Sequence, residues 1–177
     1  YEQAFEHHQE ISGGDLGLEG IDDVFQDVLN SEGETDFTGY ESTSSKGTLR
    51  ALIAYEEQKD EKGRLRVVSR KKIERLSAGQ KAEAVITPTP FYGETGGQVG
   101  DTGKLHSENA RAEVFDAIRP LPDLIVHRIE LISGGLSVGD KVQHEVDGER
   151  RKAIMRNHSA THLLQANYDI RTIQTLL

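Results

Sequence analysis

His158 and His162 stand four residues apart in the run Asn157-His158-Ser159-Ala160-Thr161-His162-Leu163-Leu164. An α-helix turns every ~3.6 residues, so positions i and i+4 share a face, and two imidazoles placed there can reach one metal ion. Ser159 stands where a zinc-protease helix carries its glutamate base, so protease chemistry is not what the run encodes. In a chain with seven histidines, such a pair taken alone is more often two half-buried side chains on an amphipathic helix than a ligand set.

A second stretch carries comparable information. Thr87-Pro88-Thr89-Pro90-Phe91-Tyr92-Gly93-Glu94-Thr95-Gly96-Gly97-Gln98-Val99-Gly100-Asp101-Thr102-Gly103 packs five glycines, two prolines and an aromatic pair between strand-like segments. Glycine is needed where φ is positive or where a backbone must come very close to something else. A hairpin turn needs only one or two such residues, so the run reads either as a long barrel loop or as a backbone that must come very close to something else. It is not a phosphate-binding P-loop, because Leu105 follows Gly103-Lys104 where Ser or Thr is required. The spacing of Gly97, Gly100 and Gly103 is not a dinucleotide fingerprint either.

The elements that must hold these two motifs can be read from hydrophobic period. Tyr1, Ala4, Phe5, His8 and Ile11 recur at helical spacing, and Gly13, Gly14, Gly17 and Gly20 break that pattern. Val24, Phe25, Val28 and Leu29 form a second short apolar face, with Asp22 or Asp23 as N-cap and Gly33 past its end. After Phe37 the period becomes two. Leu49, Ala51, Ile53 and Tyr55 alternate with Thr48, Arg50, Leu52 and Ala54, and similar alternation surrounds Val67, Val85, Val114, Val126 and Val142. Glu56 to Gly63 reads as a charged turn, and Pro120 and Pro122 as a loop or edge.

Leu76-Ser77-Ala78-Gly79-Gln80-Lys81 echoes Leu136-Ser137-Val138-Gly139-Asp140-Lys141, which suggests one glycine turn used twice at strand entries. Six or seven short strands in all predict a mainly β fold, a small closed antiparallel barrel. From Gly148 the period is helical again, with Asp147 as N-cap and Ile154, Met155, His158 and His162 near one face.

Composition bounds the rest. A chain of 177 residues has room for one medium domain and part of another, and no apolar run approaches the ~20 residues of a membrane span. No cysteine is present, so no disulfide partner exists, and a reducing cytoplasm fits. A net charge of −9 argues against a general grip on nucleic acid, which depends on phosphate neutralisation. Basic residues nevertheless cluster at Arg64, Arg66, Arg70, Lys71 and Lys72, and again at Arg150, Arg151, Lys152 and Arg156. The first cluster reads as a solvated face; the second lies on the histidine helix.

Taken in fixed order, Phe37-Thr38-Gly39-Tyr40, the run Thr89 to Gly103, Arg150-Arg151 and Asn157 to Leu164 resemble alanyl-tRNA synthetase. The resemblance covers roughly residues 35 to 166. It implies a helical linker over 1–35, a β-barrel of the translation-protein type over 36–147, and the first helix of an α+β editing domain over 148–177. Residues 167–177 no longer match the family, as natural divergence or as a non-native tail.

The resemblance further implies an ATP-dependent ligase that attaches alanine to tRNA(Ala) in the cytoplasm, with ATP and magnesium bound outside this stretch. The editing module would hydrolyse misacylated Ser- or Gly-tRNA, with Gly96, Gly97 and Gln98 as its loop and His158 and His162 as zinc ligands. In the family a Cys-x-x-x-His pair further along completes that metal set. The chain reads as an excised piece, without aminoacylation activity, holding zinc weakly unless His106, His127 or His144 of a neighbouring molecule helps. Arg150, Arg151 and Arg156 are the expected tRNA contacts. Gly96-Gly97-Gln98 also matches the tripeptide that peptide-release factors use on esters, though the flanks differ. Two other readings share these residues: a free-standing hydrolase of misacylated tRNA, and a non-catalytic tRNA-contacting barrel.

Overall fold

The computed structural model describes residues 23–95 and 98–165, with side chains up to residue 159. Helix α1 (Asp23–Glu32) precedes eight strands: β1 (Ser44–Lys59), β2 (Leu65–Ile73), β3 (Arg75–Ser77), β4 (Lys81–Thr87), β5 (Gly103–His106), β6 (Ala110–Leu121), β7 (Leu124–Ser137) and β8 (Lys141–Val146). Helix α2 (Gly148–Gln165) comes after them. The expected helix at Tyr1 to Ile11 and the tail 167–177 lie outside the described residues. The mainly β expectation is met, but β1, β6 and β7 run to 16, 12 and 14 residues and are not short.

Every strand pairing is antiparallel. β1, β4, β7, β6, β5 and β8 pair in that order and β8 returns to β1, so six strands close into a ring. β1 is long enough to change neighbours along one edge: Ser44 to Thr48 face β8, and Leu52 to Lys59 face β2. β2 hangs outside the ring on that extension, and the turn at its root is tied by the Asp60 carboxylate. It accepts the backbone N–H groups of Lys62 and Arg64 and the Nε–H groups of Arg64 and Arg66. Bonds of this kind, the Arg64 amide first, hold its pKa down at about 2.

Two apolar clusters lie on opposite faces of the sheet. One fills the ring, with Leu49, Leu52, Ala84, Ile129, Leu131 and Leu136 among its members. Phe25 and Val28 of α1 form the other with Ala51, Ile53, Val85 and Val126. The division corrects the simple alternation read in β1. A bulge between Leu49 and Ala51 shifts the parity, so Leu49 and Leu52 point inward together while Ala51 and Ile53 meet α1. A bulge adds one unpaired residue and re-aims everything after it. Gly33 (φ 81°) ends α1 as expected, its N–H bonding to the Leu29 carbonyl.

The echoed hexapeptides face one another. Leu76 pairs directly with Leu136 in the β3–β7 ladder, both wholly buried. Gly79 and Gly139 both have positive φ, 85° and 94°. Gly79 N–H bonds the Leu131 carbonyl and the Gln80 carbonyl takes Leu131 N–H. In the other copy Gly139, Asp140 and Leu49 repeat that exchange. The side chains of Gln80 and Asp140 each accept the N–H of the serine three residues before them. The two copies therefore form a local two-fold arrangement about Leu76 and Leu136.

Candidate functional site

The motifs singled out in the sequence converge where α2 leaves the ring. Asp147 caps the helix: its carboxylate accepts Arg150 N–H at 3.0 Å, while its own N–H bonds the Thr102 carbonyl at 2.8 Å. Arg151, one turn in, sends its guanidinium back into the ring. Nε donates to both Asp101 oxygens, Nη2 to Asp101 and the Pro90 carbonyl, and Nη1 to the Gly39 carbonyl at 3.1 Å.

Asp101 is 3% exposed, and it also accepts Tyr92 N–H at 2.7 Å. One planar cation thus joins the Phe37–Tyr40 segment, both ends of the glycine-rich run and the histidine helix. A guanidinium suits this because five N–H donors in a fixed fork can serve several acceptors at once. Arg150 adds Nη1 to the Gly100 carbonyl at 2.8 Å. Phe37 stacks edgewise on Tyr40 (5.0 Å) and Tyr92 (6.3 Å), and Tyr40 stands 91% exposed.

The glycines answer the question of what is approached so closely. A Cβ on Gly93 would press on the Ile118 carbonyl, one on Gly100 would overlap the Ala117 carbonyl, and one on Gly103 the Glu145 carbonyl. These three lie flat against β6 and β8, so the neighbour is the ring itself. Thr95 and Gln98 exchange backbone hydrogen bonds; Gly96 and Gly97 lie outside the described residues, so only Gln98 of the expected editing loop is placed.

Behind this joint the apolar interior of the ring also encloses polar side chains: Thr89, His127 and His144 are wholly buried. His127 Nδ1 lies 3.0 Å from the Ala84 carbonyl and must carry the proton there. Nε2 therefore accepts from Thr89 Oγ1 at 2.8 Å, and Thr89 in turn receives Phe91 N–H. His144 Nε2 sits 2.7 Å from Ser45 Oγ, and its Nδ1 has no hydrogen-bond partner among the described residues. The two rings stack at 5.9 Å and Phe91 meets both edgewise. Burial holds His127 at a pKa of about 4, and burial with the neighbouring His127 holds His144 at about 3, so both are neutral. The number of histidines in the chain did not mark these two as interior groups. The inward parity of Val142 and Val146 on either side of His144 was the available signal. Being sealed inside, neither can complete a metal set for a neighbouring molecule; His106, which is exposed, is the one of the three that remains.

The helix expected at the histidine pair is present, and α2 carries both residues one turn apart on a single face. His158 is exposed. Among the described residues no three His, Asp or Glu side chains gather to hold a metal. Imidazole is a donor that suits zinc, and two on one helix would supply half of a tetrahedral set. Arg156 is exposed and Arg150 half-buried, whereas Arg151 is only 14% exposed and occupied by protein acceptors. The other basic cluster divides: Arg64 and Arg66 pair with Asp60, while Arg70 is buried on Glu83.

A family model described as tRNA synthetases class II (A) matches residues 1–150. The chain is 37% identical over 171 residues to an alanine–tRNA ligase from Anaeromyxobacter dehalogenans, covering 93% of this chain and 17% of that one. It is 41% identical over 152 residues to the alanine–tRNA ligase of Myxococcus xanthus (84% and 15%). Against that of Hyphomonas neptunium it is 41% identical over 170 residues (94% and 18%). The chain spans less than a fifth of the length of these relatives.

Proposed function

The chain belongs to the class II (A) tRNA synthetases, and from that premise we propose that it is the part of an alanine–tRNA ligase leading from a β-barrel into a zinc-dependent editing site. The whole enzyme attaches alanine to tRNA(Ala) in the cytoplasm with ATP and magnesium, which bind outside this stretch. Its editing half removes serine or glycine attached in error.

Such an enzyme needs a second site because size alone discriminates poorly. One methylene is worth only ~1–3 kcal/mol, and a pocket of similar size cannot strongly reject an added hydroxyl. Zinc, when bound, would supply Lewis-acid chemistry for ester hydrolysis. His158 and His162, one turn apart on α2, would hold it, with further ligands supplied from outside these residues.

The observation that carries the reading is the Arg151 joint, which fixes the root of the histidine helix to both ends of the glycine-rich run. With that root fixed, the first turns of α2 keep one orientation to the described parts of the glycine-rich run, which supports pairing the histidine helix with the loop motif. Arg156, exposed further along, and the half-buried Arg150 are the contacts offered to tRNA. A free-standing hydrolase would share the two motifs, but the Anaeromyxobacter, Myxococcus and Hyphomonas relatives are all ligases.

The test is made in the full-length ligase. Converting His158 and His162 to alanine should abolish hydrolysis of Ser-tRNA and lower zinc content, leaving alanine charging nearly unchanged. Editing that survives the double change overturns the ligand assignment.

A further inference from the structure

The outer face of the ring is divided by charge along the strand direction. One row of directly paired residues reads Ser44, Glu145, Lys104, Glu113, Glu130 and Lys81 across six strands. Beside it, Thr102, Glu113, Glu145, Asp147 and Glu149 border a groove of about 710 Å³ in which Lys104 is the only cation among the described residues. Two residues along the strands, the next row reads Lys46, Gln143, His106, Arg111 and Ser133. All five are exposed and none is a carboxylate. Lys141 lies one step further, its Nζ donating to Thr48 Oγ1 at 2.7 Å. Lys46, Gln143, His106 and Lys141 border a second groove of about 600 Å³, where Glu108 is the only acid among the described residues.

We propose that this row and its groove are a docking surface for the phosphate backbone of RNA. Three features favour that partner. Neighbouring strands lie ~4.8 Å apart, so Lys46 to Arg111 spans roughly 14 Å over three gaps, enough for two or three successive phosphates. The side chains are cations and hydrogen-bond donors, the groups that contact phosphate oxygens and position a nucleic acid. Pro88 lines the groove, two residues before Pro90, whose carbonyl Arg151 holds, so the groove and the joint share one segment of the chain. The groove lined by Glu113, Glu145, Asp147 and Glu149 marks the limit of the surface and repels the same ligand. In a chain of net charge −9, this confines RNA to one side.

The inference rests on the tRNA-ligase reading for the identity of its partner, but its test needs neither zinc nor hydrolysis. The 177-residue chain is titrated into a fluorescent tRNA(Ala) transcript over a series of salt concentrations, and anisotropy is read. The charge reversals Lys46→Glu and Arg111→Glu together should weaken binding at least tenfold at low salt. They should also flatten the log K against log salt slope by about 2, at ~0.9 per phosphate contact. The pair Lys59→Glu and Lys62→Glu, on the distant β1–β2 turn, should change affinity less than twofold. Circular dichroism verifies that each variant is folded. Equal losses from both pairs, unchanged binding by the first pair, no binding by the unmodified chain, or competition by polyglutamate matching that of unlabelled RNA would each overturn the proposal. Loss of editing in the His158 and His162 variants with this binding intact separates the two claims.

Discussion

At its first turn α2 is sewn to the ring by Asp147, Arg150 and Arg151, whereas Met155 through Ser159 of the same helix stand in solvent. One end is position and the other is presentation. The contrast explains how adjacent arginines of one basic cluster come to differ. Arg151 is consumed by two backbone carbonyls and a buried carboxylate, while Arg156 is left outward. It also separates the two kinds of histidine: His127 and His144 are locked in the ring as neutral hydrogen-bonding groups, and His158 is exposed on the helix.

The largest expected effect comes from the anchored end. Arg151→Ala leaves Asp101 buried without its cation and should destabilise the fold by about 3–5 kcal/mol, seen as a lower urea midpoint. Arg151→Lys should recover only part, since an ammonium cannot span the acceptors on Gly39, Pro90 and Asp101. A small loss from Arg151→Ala would make the joint a surface contact and erase the contrast.

Acid should act next, through the ring interior. His127 and His144 have folded pKa values near about 4 and about 3, below the ordinary ~6.5. The unfolded chain therefore binds more protons below pH ~6.5. Stability is complete above that value and falls as pH drops toward 4, by up to ~1.4 kcal/mol per pH unit for each histidine. Asp60, with its pKa at about 2, adds its own loss only below pH ~4. Urea midpoints between pH 7.5 and 5 check this, and His127→Gln should flatten the slope. An unchanged slope would mean that other groups carry the titration.

The smallest effect belongs to the presented end. His158→Ala should alter stability by no more than about 0.5 kcal/mol, as exposed helical substitutions do. A larger loss measured by the same midpoints would place His158 in the scaffold.

Much of the fold was legible. The change of period after Phe37 and again at Gly148, the αL glycine after α1 and the Asp147 cap are local signals, and they appear where the sequence puts them. The bulge in β1 was not legible, because a period of two carries no mark where one residue is added. The echoed turn was visible, but that its copies meet face to face depends on long-range pairing. In the site, glycine density correctly announced a close approach, yet Gly93, Gly100 and Gly103 approach strands rather than a ligand, and composition cannot tell those apart. The basic row was illegible for a related reason: Lys46, His106 and Arg111 are dispersed in the chain and become neighbours only through register.

The ring closes where it opens. Val146 N–H bonds the Thr43 carbonyl and Ser44 pairs with Glu145, so the strand that enters and the strand that leaves do so side by side. A body with adjacent entry and exit behaves as a cassette: it can sit within a longer polypeptide without lengthening the path between the segments on either side of it. It can equally be circularly permuted. Joining residue 147 to residue 43 by a short linker and opening the chain at the Lys62–Gly63 turn would keep every rung of the six-strand ring, with new termini at the far end of the β1–β2 extension.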